Sequence, residues 1–230
     1  MQTEGILTAT DYDRLFKQIQ ELVLCHSPSG LETEVDRLIL EQFKALNLNS
    51  WQDRAGNIIA KIPGQNSEVG MPAASSAIAI TAHKDEIGMI VKEIESDGCL
   101  QVRRLGGSFP WVYGEGVVDI LGDRQVISGI LSFGSRHVSH ESPQKAQQID
   151  TPLRWEDAWV ETKCSREELS EAGVRPGTRL VVGKHRKQPF RLKDYIASYT
   201  LDNKASVAIL LALAAQIVNP PRDIYLVASA

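Results

Sequence analysis

Residues 93–190 break into short β-branched runs separated by closely spaced glycines, as in VRRLGG, YGEGVVDILGDRQVISGILS and TRLVVG. The chain on either side alternates helical and strand periods instead. This change of texture constrains the fold more than any other feature. It predicts a small β-rich unit inserted into an α/β domain whose halves are residues 1–92 and 191–230. The inserted unit carries one helical piece, SREELSEA, with a capping-box start from Ser165 to Glu168.

In the first half, Leu15, Phe16, Ile19, Leu22 and Val23 recur at helical spacing and predict a helix over 11–24. A second helix is expected from Glu32 to Leu46, then a strand from Asn57 to Ile62 entered through the turn DRAG. After a Gly-, Pro- and Ser-rich loop, the continuous apolar run Ile78 to Ala82 predicts a strand buried on both faces. In the second half we expect a strand near Tyr195 to Tyr199, a buried helix after Asp202, the turn NPPRD and a strand from Ile224 to Ala228. The fold class is therefore an α/β sandwich with an inserted, barrel-like β-rich domain. A sheet ending on the apolar strand Ile224 to Ala228 would leave a hydrophobic edge needing cover. On that ground the chain reads as the first two-thirds of a longer protein, with the sandwich incomplete at its C-terminus.

The strand at Ile78 leads into His83-Lys84-Asp85-Glu86. His83 and Asp85 are two apart, so on an extended segment they project to the same side. Asp85 can then hold one ring nitrogen of His83 and leave the other to bind a metal or carry a proton. Asp202, in SYTLDNKASVAILLALAA, stands before a strongly apolar helix, where a plain N-cap is one reading. In the other, Asp202 meets His83 at one edge of the sheet, where open α/β folds collect ligands. Such a pair suits zinc, cobalt or manganese, although two ligands are too few for a tight site. The bland alternative makes His83 a strand cap and Asp85 and Glu86 solvated loop charges. No HExxH helix, EF-hand loop, Walker loop or GxSxG elbow is present. His26, His137, His140 and His185 read as structural or surface residues, Ser27 to Gly30 as a turn, and Trp155 with Trp159 as a packing pair beside a docking surface.

A net charge of −4 and a pI near 5.8 give no basic footprint, so neither nucleic acid nor anionic lipid is expected as a partner. The longest apolar run, Ala205 to Val218, is interrupted by Ser206 and Gln216 and is too short to span a bilayer. The N-terminus has neither a basic nor an apolar signal region, which predicts a cytoplasmic protein. Cys25, Cys99 and Cys164 are scattered and odd in number, so they read as incidental thiols rather than a disulfide framework or a CxxC metal clip.

The segments SPSGLETEV, DRAGNIIAKIPG, TAHKDEIGMIV, RRLGG, ISGILSFGSRHVSH, GVRPGTRLVV and YTLDNKAS together resemble one family. It is that of the TET-type aminopeptidases, including glutamyl and deblocking aminopeptidases, among the di-metal peptidases of family forty-two. The resemblance implies two divalent metal ions, zinc or cobalt. It implies that His83 binds one of them, that Asp202 bridges both, and that Asp85 has the catalytic role of orienting His83. It implies peptide substrates that lose their N-terminal residues, a glutamate acting as general base, and a homo-oligomer built through the inserted unit as dimerisation domain. The family's usual Asp-Asp-Arg or Asp-Asn-Arg is here Asp202-Asn203-Lys204. Its glutamate pair, expected directly after IYLVASA, and later ligands are not in these residues, so the chain alone is expected to be inactive or nearly so. Two alternatives stand beside this reading. One is a non-catalytic assembly protein with a vestigial metal pocket. The other is an endoglucanase-type hydrolase, which ranks last because it needs two carboxylates about 5–9 Å apart across a sugar bond, whereas Asp85 and Glu86 are adjacent.

Overall fold

The computed structural model describes residues 9–65, 77–134 and 152–230. In chain order the elements are α1 (Ala9–Leu24), α2 (Thr33–Ala45), β1 (Asn49–Gln52), β2 (Ile58–Ile62), β3 (Ile78–His83), β4 (Gly88–Ile94), β5 (Leu100–Leu105) and α3 (Pro110–Tyr113). They continue with β6 (Gly116–Leu121), β7 (Val126–Ser132), β8 (Trp159–Glu161), α4 (Arg166–Glu171), β9 (Arg179–Val182), β10 (Phe190–Leu192), β11 (Tyr195–Ala197), α5 (Leu201–Gln216) and β12 (Ile224–Ser229). Two compact units result: the described residues through Glu86 together with Lys187–Ala230, and Ile87–Arg186.

The first unit packs helices on a four-stranded sheet of order β1-β2-β12-β3. Val35, Ile39 and Phe43, four apart, line one face of α2, so all three enter the core. There they join Ile19, Leu22 and Val23 of α1, Val207, Leu210 and Leu211 of α5, and Ile58 and Leu226 of the sheet. β12 pairs antiparallel with β2 and parallel with β3, which sets His83 opposite Ser229 at the carboxyl end of β3.

Three expectations are corrected here. β3 is an edge strand among the described residues; only Ala82 is buried in it and Ile78 is exposed. The strand Ile224–Ser229 is bonded on both sides, so the hydrophobic edge expected there does not exist. The strand expected near Tyr195 is present as β11 and forms a separate hairpin with β10, turned through Lys193 at φ 54°. Finally, α5 is not wholly buried, since Ile209 on its outer side is exposed. β1, with sequence NSWQ, has no apolar alternation to announce it and exists through its pairing with β2.

The second unit is a closed antiparallel barrel of order β4-β5-β8-β7-β6-β9. Alternate residues point inward, among them Met89 and Val91 of β4, Leu100 and Val102 of β5, and Val118 and Ile120 of β6. Because β4 already belongs to the barrel, this unit begins at Ile87 rather than at 93, where the glycine-rich texture starts. The capping box expected at Ser165 is present: its hydroxyl accepts from the Glu168 N–H at 3.2 Å, and the Glu168 carboxylate accepts from the Ser165 N–H at 2.7 Å. Trp155 and Trp159 do not pack on each other as expected. Trp155 is buried edge-on to Tyr113, with centroids 5.6 Å apart, and its Nε1 donates to the Ser108 carbonyl at 2.9 Å. Trp159 points elsewhere and donates to the Glu161 carboxylate. The three cysteines are free; burial and the neighbouring Glu161 and Asp97 carboxylates push the Cys99 thiol up to about 12, so it stays protonated at neutral pH.

The β4–β5 turn depends on Gly98, whose φ is +84°. A Cβ there would sit 1.9 Å from the Cys164 carbonyl oxygen, and the Gly98 carbonyl already accepts from the Thr162 hydroxyl at 2.9 Å. Gly98→Ala is expected to destabilise the barrel by about 2 kcal/mol or more, measured by urea unfolding, since left-handed strain and a backbone clash add. Among the described residues no helix is long and apolar enough to cross a membrane.

Candidate metal centre

His83 ends β3, and Asp85, two residues further on, lies beside its ring. His83 Nδ1 lies 2.9 Å from Asp85 Oδ1, the contact that the two-residue spacing predicts. The other carboxylate oxygen, Asp85 Oδ2, accepts from the Ser29 hydroxyl at 2.5 Å, so Asp85 is fixed on both sides. His83 Nε2 lies 3.0 Å from Asp202 Oδ1, contributed from 119 residues away.

Asp202 is not an N-cap. Thr200 holds that position, at the left-handed φ of 62°, and makes no side-chain cap. Asp202 (φ −82°, ψ 107°) and Asn203 are non-helical, and the Asp202 carboxylate is 93% exposed beside His83.

A neutral imidazole carries one N–H, yet both His83 nitrogens face a carboxylate oxygen. A cation held between Nε2 and the Asp202 carboxylate would satisfy the second contact. An imidazole nitrogen and a carboxylate oxygen 3.0 Å apart match two ligands of one cation with bonds of about 2 Å. The pair thus fits a first-row divalent ion, with Asp85 holding the imidazole from behind as ligating histidines require. Among the described residues no group of three or more His, Cys, Asp or Glu side chains is arranged to hold a metal.

Beneath this pair lies a charge network that the sequence did not announce. Glu86, read as a solvated loop charge, is fully buried, as are the side chains of Lys187 and Lys204. Its Oε1 accepts from the Ser27 N–H at 2.9 Å, both its oxygens accept from Lys187 Nζ at 3.0 Å, and Lys204 Nζ stands 3.3 Å from Oε2. Lys204 also donates to the Cys25 carbonyl at 2.6 Å, and Lys187 lies 3.1 Å from His26 Nδ1. Burial alone would raise the Glu86 carboxyl, but Lys204, Lys187 and the Ser27 N–H outweigh it and hold it below the usual carboxylate range. With two ammonium groups sharing one carboxylate, burial prevails at Lys204 and brings it down to about 8.

The turn Ser27 to Gly30 is thus part of the site's frame: the Glu86 N–H donates to the Ser27 carbonyl at 2.8 Å and the Ser27 hydroxyl to the Lys84 carbonyl at 2.9 Å. Lys84 is itself buried, paired with Asp36 and bonded to the Gly56 carbonyl. The only sequence signal for any of this was a lysine opening an otherwise apolar helix, at Lys204; Lys187 has none. His26 is buried and His185 exposed, while His137 and His140 lie outside the described residues.

Residues 56–230 match the family described as M42 glutamyl aminopeptidase. A lysyl aminopeptidase of Pyrococcus furiosus is 28% identical over 179 residues, which are 77% of this chain and 47% of that protein. Among solved structures, the aminopeptidase APDkam598 of the archaeon Desulfurococcus kamchatkensis superposes with a TM-score of 0.78 at 25% identity, over 94% of this chain and 55% of its own. The TET1 peptidase of Pyrococcus horikoshii, which can assemble into a tetrahedron or a large octahedral shell, shares the fold with a TM-score of 0.76 at 20% identity, over 93% and 60% of the two chains. The chain spans about half the length of the curated relatives it matches. A family match over three-quarters of its residues means that the chain belongs to the M42 glutamyl aminopeptidase family.

Proposed function

We propose that this protein serves as a metal-dependent aminopeptidase that releases N-terminal residues from peptides, with His83 and Asp202 as ligands of zinc or cobalt. The observation that carries the reading is the His83 imidazole set between Asp85 and Asp202 at 2.9 and 3.0 Å. A bound cation would polarise a peptide carbonyl and activate water. The chain's own part is to orient the ring through Asp85 and to present Nε2 and the Asp202 carboxylate on an exposed surface. If Asp202 were to help hold two cations, as the family resemblance implies, more donors would be needed than the described residues bring together. We therefore expect this chain by itself to hydrolyse peptides weakly or not at all. The unit formed by the residues through Glu86 with Lys187–Ala230 would serve as the catalytic domain and the barrel unit, Ile87–Arg186, as the dimerisation domain of a homo-oligomer; the shell formed by the TET1 peptidase of like fold supports a homo-oligomer.

In the endoglucanase reading, Glu86 would not be available as the carboxylate beside Asp85, because it is buried between lysines. The test is a cobalt(II) titration of the purified chain followed by its visible absorption, alongside hydrolysis of a panel of aminoacyl chromogenic substrates. Cobalt binding that falls by about a hundredfold or more in His83→Ala and in Asp202→Ala is expected, since losing a ligand costs more than losing its supporting partner. A chain that binds no cobalt yet holds a defined oligomeric state would instead be a non-catalytic assembly protein.

A further inference from the structure

We infer that Lys204 is a positioning residue: through the buried Glu86 carboxylate it sets Asp202 at the distance from His83 that the cation pair needs. The inference rests on reading that pair as metal ligands. Asp202 lies on a segment whose backbone departs from the helix it opens. Thr200 before it is in a left-handed conformation that β-branched residues avoid, Asp202 and Asn203 are non-helical, and no side chain caps the helix. Two residues later, the Lys204 ammonium is buried and tied to the Cys25 carbonyl and the Glu86 carboxylate. Glu86 follows Asp85 directly and is bonded through both backbone and side chain to Ser27. One carboxylate therefore joins the strand end bearing His83 and Asp85, the turn bearing Ser29, and the helix start bearing Asp202. Lys187 binds the same carboxylate but comes from a segment that carries none of these residues. That difference separates positioning from mere stability.

The experiment is the cobalt(II) titration applied to Lys204→Met, Lys204→Gln, Lys204→Arg and Lys187→Met, with the thermal midpoint of each recorded. Folded Lys204→Met or Lys204→Gln should bind cobalt about tenfold or more weakly, the size of effect seen when a supporting partner is lost. Lys204→Arg, which keeps the buried charge, should recover most of the affinity. Lys187→Met should lower the midpoint while leaving affinity within about threefold of wild type, well inside the tenfold range of a lost supporting contact. Equal losses in Lys187→Met and Lys204→Met would overturn the inference in favour of general destabilisation, as would unchanged affinity in a folded Lys204→Met. If neither Lys204→Met nor Lys204→Gln folds, Lys204 is a folding residue and the inference is wrong. Absence of cobalt binding by the wild type would remove the metal reading itself, a result distinct from any difference among variants.

Discussion

Glu86→Ala is expected to destabilise the first unit by about 3–5 kcal/mol, the range for removing one partner of a buried ion pair. The cost arises because Lys187 and Lys204, both with fully buried side chains, would lose their shared counter-charge. The Ser27 N–H would lose its acceptor as well. Urea unfolding followed by helical circular dichroism reads this directly, since α1, α2 and α5 all lie in that unit. Acid supplies a second arm. The folded carboxyl lies below its ordinary value of 4.5, so its contribution is fully present above that pH and is lost as pH falls through the lower folded value. The gap in stability between wild type and Glu86→Gln should therefore be wide at neutral pH and shrink on acidification below about pH 4.5. A gap that is constant across that range would mean that Glu86 does not act through its charge.

Trp155→Ala should cost the barrel a comparable amount, about 3–5 kcal/mol, as expected for truncating a buried tryptophan. The indole fills the space against Tyr113, and its N–H is the donor to the Ser108 carbonyl. Tyr113 in turn donates to the Gly88 carbonyl at 2.9 Å and is bonded to the Ser108 hydroxyl at 3.0 Å, so α3 is moored to the first barrel strand through this cluster. Trp159→Ala, at a half-buried site whose N–H donates to the Glu161 carboxylate, should cost less than about 2 kcal/mol. Urea unfolding of the two variants, followed by near-ultraviolet circular dichroism, gives the comparison. Equal costs would refute the distinction between them.

The separation of the two tryptophans shows where sequence reasoning stops. A spacing of four implies contact only if the segment is α-helical, and here a single 3₁₀ turn, Trp155–Asp157, gives way to strand β8 at Trp159. Asp202 shows the same limit. A carboxylate before an apolar helix is an N-cap by local rules, but its backbone is non-helical and its oxygen faces His83. Glu86 shows it most strongly, because nothing local distinguishes it from a solvated loop acid.

What the sequence by itself determined was whatever a short window of chain can enforce. The apolar period placed α1 and α2, a long apolar run placed α5, the Ser165–Glu168 pair started α4, and the two-residue spacing brought Asp85 to His83. The glycine-punctuated runs likewise announced a β-rich unit, although not its first strand. Only the tertiary structure decided that β12 lies between β2 and β3, that Lys187 reaches Glu86 across 101 residues, and that Asp202 meets His83 across 119. The physical reason is that turns, caps and periodic faces are set by neighbours along the chain. Strand order and the burial of a charge are set by partners that only the completed fold brings near, and without Lys187 and Lys204 beside it Glu86 would have to remain in water.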